Sequence, residues 1–176
     1  MVITVEPYSP EWPKRFRQQA ELLERALTFR ITAIEHVGST AIPGLAAKPV
    51  IDLAARTPAG VDPFSLEPFI EGLGYRLHRS GPKTHAVYTR GDSTGRTEIL
   101  HVFTATAWPT SHQRVFRDKL QHDATARRRY GELKVSLAAS GMSGMAYTAT
   151  KLQLIQELLN EERASRGLPL VDAWEK

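Results

Sequence analysis

Residues 36 to 53 hold the side chains of this chain that are best suited to phosphate and metal chemistry. An apolar segment ends at Gly38 and Ser39, and after a short loop a second apolar segment, 50–53, contains Asp52. A Gly-Ser turn lets backbone amides and a hydroxyl approach a phosphate, and a strand carboxylate can hold a divalent cation on it. Burying a charged side chain is costly unless it is paired or ligates something. Asp52 is therefore the first candidate for catalysis or metal binding; the alternative is a structural acid held by backbone N–H groups or by an arginine.

Three polar residues near this turn are further candidates. Lys48 lies four residues before Asp52, where its ammonium group could contact a phosphate as a point charge. Thr40 either contacts the phosphate or caps the loop, and His36 could reach the same cleft from the end of its strand. A solvated lysine and a packed histidine are the ordinary structural alternatives.

The apolar segment 96–104 contributes two titratable candidates, Glu98 and His101. Side chains alternate across a strand, so these two residues point to opposite faces and only one of them can share a cleft with Asp52. Glu98 would supply a second metal-binding carboxylate. His101 would bind a metal as neutral imidazole or act as an acid or base near neutral pH.

The order of the elements predicts one α/β domain. Uniformly apolar or alternating segments predict strands at 3–5, 31–37, 50–55, 75–79, 85–90 and 96–104. Apolar residues at three- and four-residue steps predict helices at 9–29, 64–73, 109–122, 124–139 and 145–165. We expect a small mixed sheet with early helices on one face, a C-terminal helical cap, and a tail at 167–176 that is ordered only if its apolar residues dock.

Composition places limits on the class of protein. The 176 residues predict a single domain, 1–176. The absence of cysteine excludes disulfides and thiolate metal sites, which leaves histidine and carboxylates as ligands. No apolar run approaches the roughly 18–20 residues that span a bilayer, and the N-terminus lacks a secretory pattern. We therefore expect a cytoplasmic protein with no membrane partner.

The net charge of +4 is mild and suits a phosphate-bearing ligand without requiring one. The densest basic run, Arg127-Arg128-Arg129, is typical of a solvated helix face. Nucleic acid is the disfavoured alternative partner, because no nucleic-acid-binding signature accompanies this run. The oligomeric state is left open.

Several blocks of the chain together resemble the signature of the GrpB family, a small bacterial group. They are Gly38-Ser39-Thr40, Pro43–Pro49, Ile51-Asp52, Leu100-His101-Val102, Phe116-Arg117-Asp118, Tyr130 with Leu133-Lys134, and Tyr147 with Lys151. The resemblance covers about residues 5 to 155 and implies the nucleotidyltransferase fold. In that superfamily a strand running into Gly-Ser and a neighbouring acidic strand bind a triphosphate and Mg²⁺. GrpB domains are also found fused to some dephospho-CoA kinases.

The same resemblance favours His101 over Glu98 as the residue in the cleft. It implies that Arg117 reaches a phosphate bidentately from the helical cap, and that Lys134 and Lys151 line the open side of the cleft. The alternatives are an ion pair of Arg117 with its neighbour, and lysine stems that pack on the tyrosine four residues earlier.

Ala54 departs from the pattern of active nucleotidyltransferases, whose strand carries two acids one residue apart. The second acid would stand at Ala54. Two interpretations follow. One is a nucleotidyltransferase-like protein that binds a nucleotide or coenzyme-like ligand, with Mg²⁺ at Asp52 and Glu98 and transfer of a nucleotidyl group. The other is a catalytically degenerate ligand-binding or protein-interaction module on the same fold, so the sequence leaves enzymatic activity open.

Overall fold

A computed structural model describes residues 5–93, 95–140 and 144–171, with the side chains of 144–148 outside that description. The helices are α1 (Glu11–Ala26), α2 (Glu67–Ile70), α3 (His112–His122), α4 (Ala124–Ala139) and α5 (Gly144–Ser165). The strands are β1 (Ala33–Val37), β2 (Ile51–Arg56), β3 (Arg76–Leu77), β4 (Ala86–Asp92) and β5 (Gly95–Phe103). The predicted α/β fold is confirmed.

The strands form one five-stranded mixed sheet in the order β1-β2-β5-β4-β3. β2 and β5 pair in parallel, and the other three pairs are antiparallel. Parallel neighbours need a long crossover connection. Here that connection contains α2, β3 and β4.

The strand register assigns the polar residues to faces. Ala54 of β2 is paired with Glu35 of β1 and with His101 of β5. Asp52, two residues from Ala54, therefore shares a face with these residues, which we call the cleft face. Glu98 is paired with Ile51 and lies on the opposite face.

Helix α1 packs on the face opposite the cleft. Apolar residues three and four positions apart give it one buried stripe, and the mostly apolar strands supply the other half of this core. The core includes Trp12, Leu23, Leu27, Ile51, Leu53, Tyr88, Leu100 and Val102. Each large apolar side chain buried here contributes about 1.5–3 kcal/mol relative to exposure.

Helices α3, α4 and α5 form the predicted C-terminal cap. A second core joins them to the loop between β1 and β2; it includes Ile42, Leu45, Val115, Leu120, Tyr130, Ile155 and Leu158. Arg114 and Arg117 of α3 donate hydrogen bonds to Glu35 and so tie the cap to the cleft face of β1. Among the residues that the structure describes, no helix has the length and apolar character needed to cross a bilayer.

Two predicted elements are shorter than expected. The helix expected over 64–73 is the four-residue α2 between two 3₁₀ turns, because Pro63 and Pro68 lie at the start of consecutive turns and lack a backbone N–H. The strand expected over 75–79 is the two-residue β3. The strand expected over 3–5 lies largely outside the described residues, although Glu6 forms a bridge with Ala47. Trp174 of the tail and the side chain of Tyr147 are also outside them.

Candidate functional site

Gly38 lies directly against the carboxylate of Asp52. Its φ is +71°, and a Cβ atom added there would overlap Oδ2 of Asp52 and lie 2.8 Å from its Cβ. Val37, the preceding residue, pairs with Asp52 across β1 and β2. Only glycine meets both demands, the positive φ and the close approach. The structure thus brings the turn that begins at Gly38 and Ser39 beside Asp52, as the sequence predicts.

Two histidines extend from Asp52 into the protein. Nε2 of His101 lies 3.8 Å from Oδ1 of Asp52, and the His101 side chain is 3% exposed. Nδ1 of His101 lies 3.1 Å from Nε2 of His85, which immediately precedes β4. His85 is buried and stacks on Phe103, with ring centroids 4.5 Å apart. His101 is therefore the strand residue that faces Asp52, and His85 is a member of the site that the sequence motifs did not indicate.

Glu98 is not beside Asp52, and its predicted role as a metal ligand needs correction. Strand alternation places it on the α1 face, where Arg15 and Arg90 each donate a hydrogen bond to it at 3.2 Å. Thr97 donates a third at 2.6 Å. The charge of Glu98 is thus compensated within the fold, on the wrong side of the sheet for a shared metal.

The remaining donors around Asp52 do not fit a two-metal centre. Ala54 is fully buried opposite His101. Glu35 shares the cleft face, but it is engaged by arginines: burial alone would raise its pKa, yet Arg114 and Arg117 hold it below the usual value. The part of the chain that the structure describes contains no group of three histidines or carboxylates suited to a metal. Among the described residues, a single Mg²⁺ ion on this face would have the carboxylate of Asp52 as its ligand.

His36 and Thr40 stabilise the loop that begins at Gly38. Thr40 is buried and donates its hydroxyl proton to the carbonyl oxygen of Val50 at 3.2 Å. Because that proton is used, the 3.0 Å contact with Nε2 of His36 is a bond that His36 donates. His36 also stacks on Phe16 of α1 at 4.8 Å. For Thr40 the structure favours the loop-capping alternative over the predicted ligand contact.

Arg117 and Lys134 connect the cap to this loop. Arg117 donates to Glu35 at 2.7 Å, to the carbonyl oxygen of His36 at 3.1 Å and to Asp118 at 2.7 Å. Lys134 is 3% exposed, and its ammonium group donates to the carbonyl oxygen of Ala46 at 2.6 Å. Both cations are engaged in contacts within the fold, and their predicted phosphate contacts stay a prediction.

Lys151 of α5 and Lys48 differ in their environments. Burial lowers the pKa of Lys151, and the nearby charge of Asp52 partly opposes that shift. Lys151 of the cap therefore interacts electrostatically with Asp52. Lys48 is exposed and Ser39 is half-buried at the start of a 3₁₀ turn.

A separate groove of about 520 Å³ between α4 and α5 contains none of the predicted site residues.

Burial keeps two histidines near the site neutral. It lowers the pKa of His36 to about 4, with Asp52 opposing and Arg117 reinforcing the shift. It lowers the pKa of His85 to about 3, and electrostatic interactions with His101 and His112 reinforce that shift. In the unfolded chain both pKa values return to about 6.5. The unfolded state therefore binds protons first as the pH falls.

We expect the free energy of unfolding to decrease as the pH is lowered from 6.5 to about 4. The native state keeps the two histidines neutral over this range, so each contributes a slope of about 1.4 kcal/mol per pH unit where it is protonated only in the unfolded state. Urea unfolding at a series of pH values measures this slope. His36→Gln should reduce it, whereas the control His122→Gln, at an exposed position, should leave it unchanged. Equal stability across the interval would contradict the prediction.

A mixed sheet with a Gly-Ser turn beside a strand carboxylate defines a nucleotidyltransferase-like fold. The family model described as "GrpB protein" matches residues 2–161. The chain belongs to the GrpB family.

Relatives and a solved structure agree with this assignment. The chain is 36% identical over 176 residues to UPF0157 protein PA4798 of Pseudomonas aeruginosa, covering 97% of this chain and 72% of that protein. It is 32% identical over 161 residues to the glutamate-rich protein GrpB of Alkalihalophilus pseudofirmus, covering 88% and 92%. The crystal structure of the conserved protein GrpB from Enterococcus faecalis matches with a TM-score of 0.74 and 26% identity, over 90% of this chain and 98% of that one.

A dephospho-CoA kinase of Mycolicibacterium paratuberculosis is 31% identical over 109 residues. The match covers 56% of this chain and 26% of the kinase. The similarity to a protein of that name is therefore partial.

Proposed function

We propose that this chain binds a phosphorylated ligand, a nucleotide or a coenzyme-like molecule, in the cleft at Asp52. The observation that carries the proposal is the convergence of four elements on one carboxylate. The end of β1 brings Gly38 against Asp52 of β2, β5 brings His101 within 3.8 Å, and α5 brings Lys151 into its electrostatic field. An acid, an imidazole and a partly buried ammonium group at a glycine turn suit an anionic ligand that needs directed polar contacts.

The charge of Asp52 requires a cation between it and any phosphate. Lys151 can supply one positive charge. A Mg²⁺ ion that arrives with a triphosphate can supply the other, because Mg²⁺ keeps several waters and shares phosphate oxygens while using one or two protein carboxylates. Asp52 suits this arrangement with a ligand-borne ion; the donor set does not suit two resident ions.

The partial similarity to a dephospho-CoA kinase suggests which coenzymes to test. Dephospho-CoA and CoA each carry a nucleotide part, so they belong beside the nucleoside triphosphates in one ligand panel. Ligands that bind only the native state raise its stability, by about 2.7 kcal/mol at a concentration of 100 times Kd.

We expect at least one member of this panel to raise the unfolding temperature, and more so with Mg²⁺ present. Asp52→Asn should remove the Mg²⁺-dependent part of the shift, because it removes the carboxylate that shares the ion. Lys151→Met should weaken binding by about tenfold, which corresponds to about 1.4 kcal/mol for one charge-assisted contact. Thermal-shift screening followed by calorimetric titration measures both effects.

Arg128→Met on the exposed face of α4 is the matched control, since it also removes one positive charge. It should leave affinity unchanged. Absence of binding by every panel member, or full Mg²⁺-dependent binding by Asp52→Asn, would refute the proposal.

Nucleotidyl transfer is the second candidate function, and the geometry around Ala54 argues against rapid turnover. In two-metal phosphoryl transfer, paired carboxylates hold the ions that stabilise the attacking and leaving oxygens. Ala54 lacks the second acid, and Glu98 lies across the sheet. We therefore expect little pyrophosphate release from the four common nucleoside triphosphates. Robust release by the wild type that is lost in Asp52→Asn would favour a true nucleotidyltransferase.

A further inference from the structure

His85 and His101 form a hydrogen bond whose direction matters for the proposed site. Their nitrogens, Nε2 of His85 and Nδ1 of His101, are 3.1 Å apart in a buried setting. In a pair of neutral imidazoles one nitrogen must donate and the other accept. The positions of the protons follow from the network around the rings.

Asp52 favours one of the two directions, and His85 can supply the donor that this direction needs. If Nδ1 of His101 donated, the lone pair of its Nε2 would point toward the Asp52 carboxylate 3.8 Å away, which is repulsive. If Nε2 of His85 donates instead, Nε2 of His101 carries the proton and directs its N–H toward Asp52. The hydroxyl of Thr84, 3.3 Å from Nδ1 of His85, can then donate to that ring nitrogen. In this order the bond between the two histidines is formed, and the N–H of His101 faces Oδ1 of Asp52 at 3.8 Å, beyond hydrogen-bond length.

We infer that His85 is a positioning residue that holds His101 with its proton on Nε2, directed at the Asp52 carboxylate. Neutral His101 then presents a hydrogen-bond donor to the cleft and has no lone pair at Nε2 for a metal. A ligand oxygen that binds beside His101 can accept this N–H. This last step rests on the proposed function, whereas the tautomer itself does not.

The packing around His85 suits such a role. Its ring stacks on Phe103 at an interplanar angle of 21°, and its side chain is 5% exposed. The ring of His85 therefore has little room to turn, and its Nε2 stays directed at His101. A second-sphere group that fixes the orientation and tautomer of an imidazole is a recurrent device in binding and catalytic sites.

¹⁵N NMR of the ligand-free wild-type protein tests the tautomer of His101 directly. With ¹⁵N-labelled histidine at a pH where both rings are neutral, His101 should show a pyridine-type shift at Nδ1 and a pyrrole-type shift at Nε2. A scalar coupling should connect Nδ1 of His101 with Nε2 of His85. The opposite pattern at His101 would overturn the inference. Because the measurement uses the wild-type protein, it does not depend on whether any variant folds.

Two variants separate the effect of the hydrogen bond that His85 donates from the effect of its ring packing on Phe103. His85→Gln retains an N–H donor, and His85→Phe retains the ring on Phe103 without the donor. We expect His101 to keep its tautomer in the glutamine variant and to become a mixture of tautomers in the phenylalanine variant. If His101 had the same tautomer in both variants, Asp52 alone would determine the tautomer, and the role inferred for His85 would be overturned. ATP binding with and without Mg²⁺ is measured in separate titrations. The tautomer of wild-type His101 can therefore be confirmed even if ATP does not bind and the proposed function fails.

Discussion

Replacing Gly38 with alanine should destabilise the fold far more than the same replacement at Gly44. Both residues have a positive φ, +71° and +79°, so both substitutions incur about 1–3 kcal/mol of backbone strain. A Cβ atom at Gly44 meets nothing within 4 Å, whereas one at Gly38 overlaps Oδ2 of Asp52. Overpacking adds about 1–3 kcal/mol. The total at Gly38 is a large fraction of the stability of a small domain.

Urea unfolding of the two single variants measures the difference. Asp52→Gly in the Gly38→Ala background should recover part of the loss, because it removes the Cβ and carboxylate atoms that the new methyl group would meet. The coupling energy from this double-mutant cycle reports the contact itself. Equal losses at the two glycines, with no coupling, would mean that the turn relaxes away from Asp52.

Replacing Glu98 with alanine should cost about 2–4 kcal/mol of stability while leaving ligand affinity unchanged. The substitution removes three hydrogen bonds to a buried carboxylate, from Arg15, Arg90 and Thr97, and each bond to a charged group contributes about 1.5–3 kcal/mol before compensation. The two arginines are partly exposed and regain water, which limits the loss. Urea unfolding and calorimetric titration measure the two quantities.

Glu11→Ala is the control for this prediction, because its pair with Lys14 is largely exposed. Surface pairs of this kind contribute about 0–1 kcal/mol. If Glu98→Ala instead reduced Mg²⁺-dependent ligand binding with little change in stability, Glu98 would act at the site and the assignment of faces would be wrong.

Periodicity predicted most of the fold and the main contact of the site. The alternation of side chains along β5 required Glu98 and His101 to face opposite ways, and the structure confirms that they do. The position of Gly38 before a strand that carries Asp52 was enough to predict that the two lie together. Alternation does not say which face carries the cleft. That choice depends on where α1 packs, which is a property of the whole sheet.

The partners of long side chains and the role of His85 could not be predicted in this way. Arg117 and Lys134 can each reach several groups, and only the docking of the cap selects Glu35 and the carbonyl oxygen of Ala46 as their acceptors. His85 lies outside any recognisable motif. The pairing of β4 with β5 places Val87 opposite His101, and His85, two residues before Val87, lies on the same face beside it.

The parallel pairing of β2 with β5 also determines when the site forms during folding. Asp52 is on one of these strands and His101 is on the other, and α2, β3 and β4 lie between them in the chain. The hairpin of β4 and β5 and the helices of the cap require only local contacts, whereas the parallel pair must first close a long loop. A partly folded chain with the hairpin and cap but without this pair would have no ligand site. We therefore expect ligand binding to appear during refolding only when the sheet is complete.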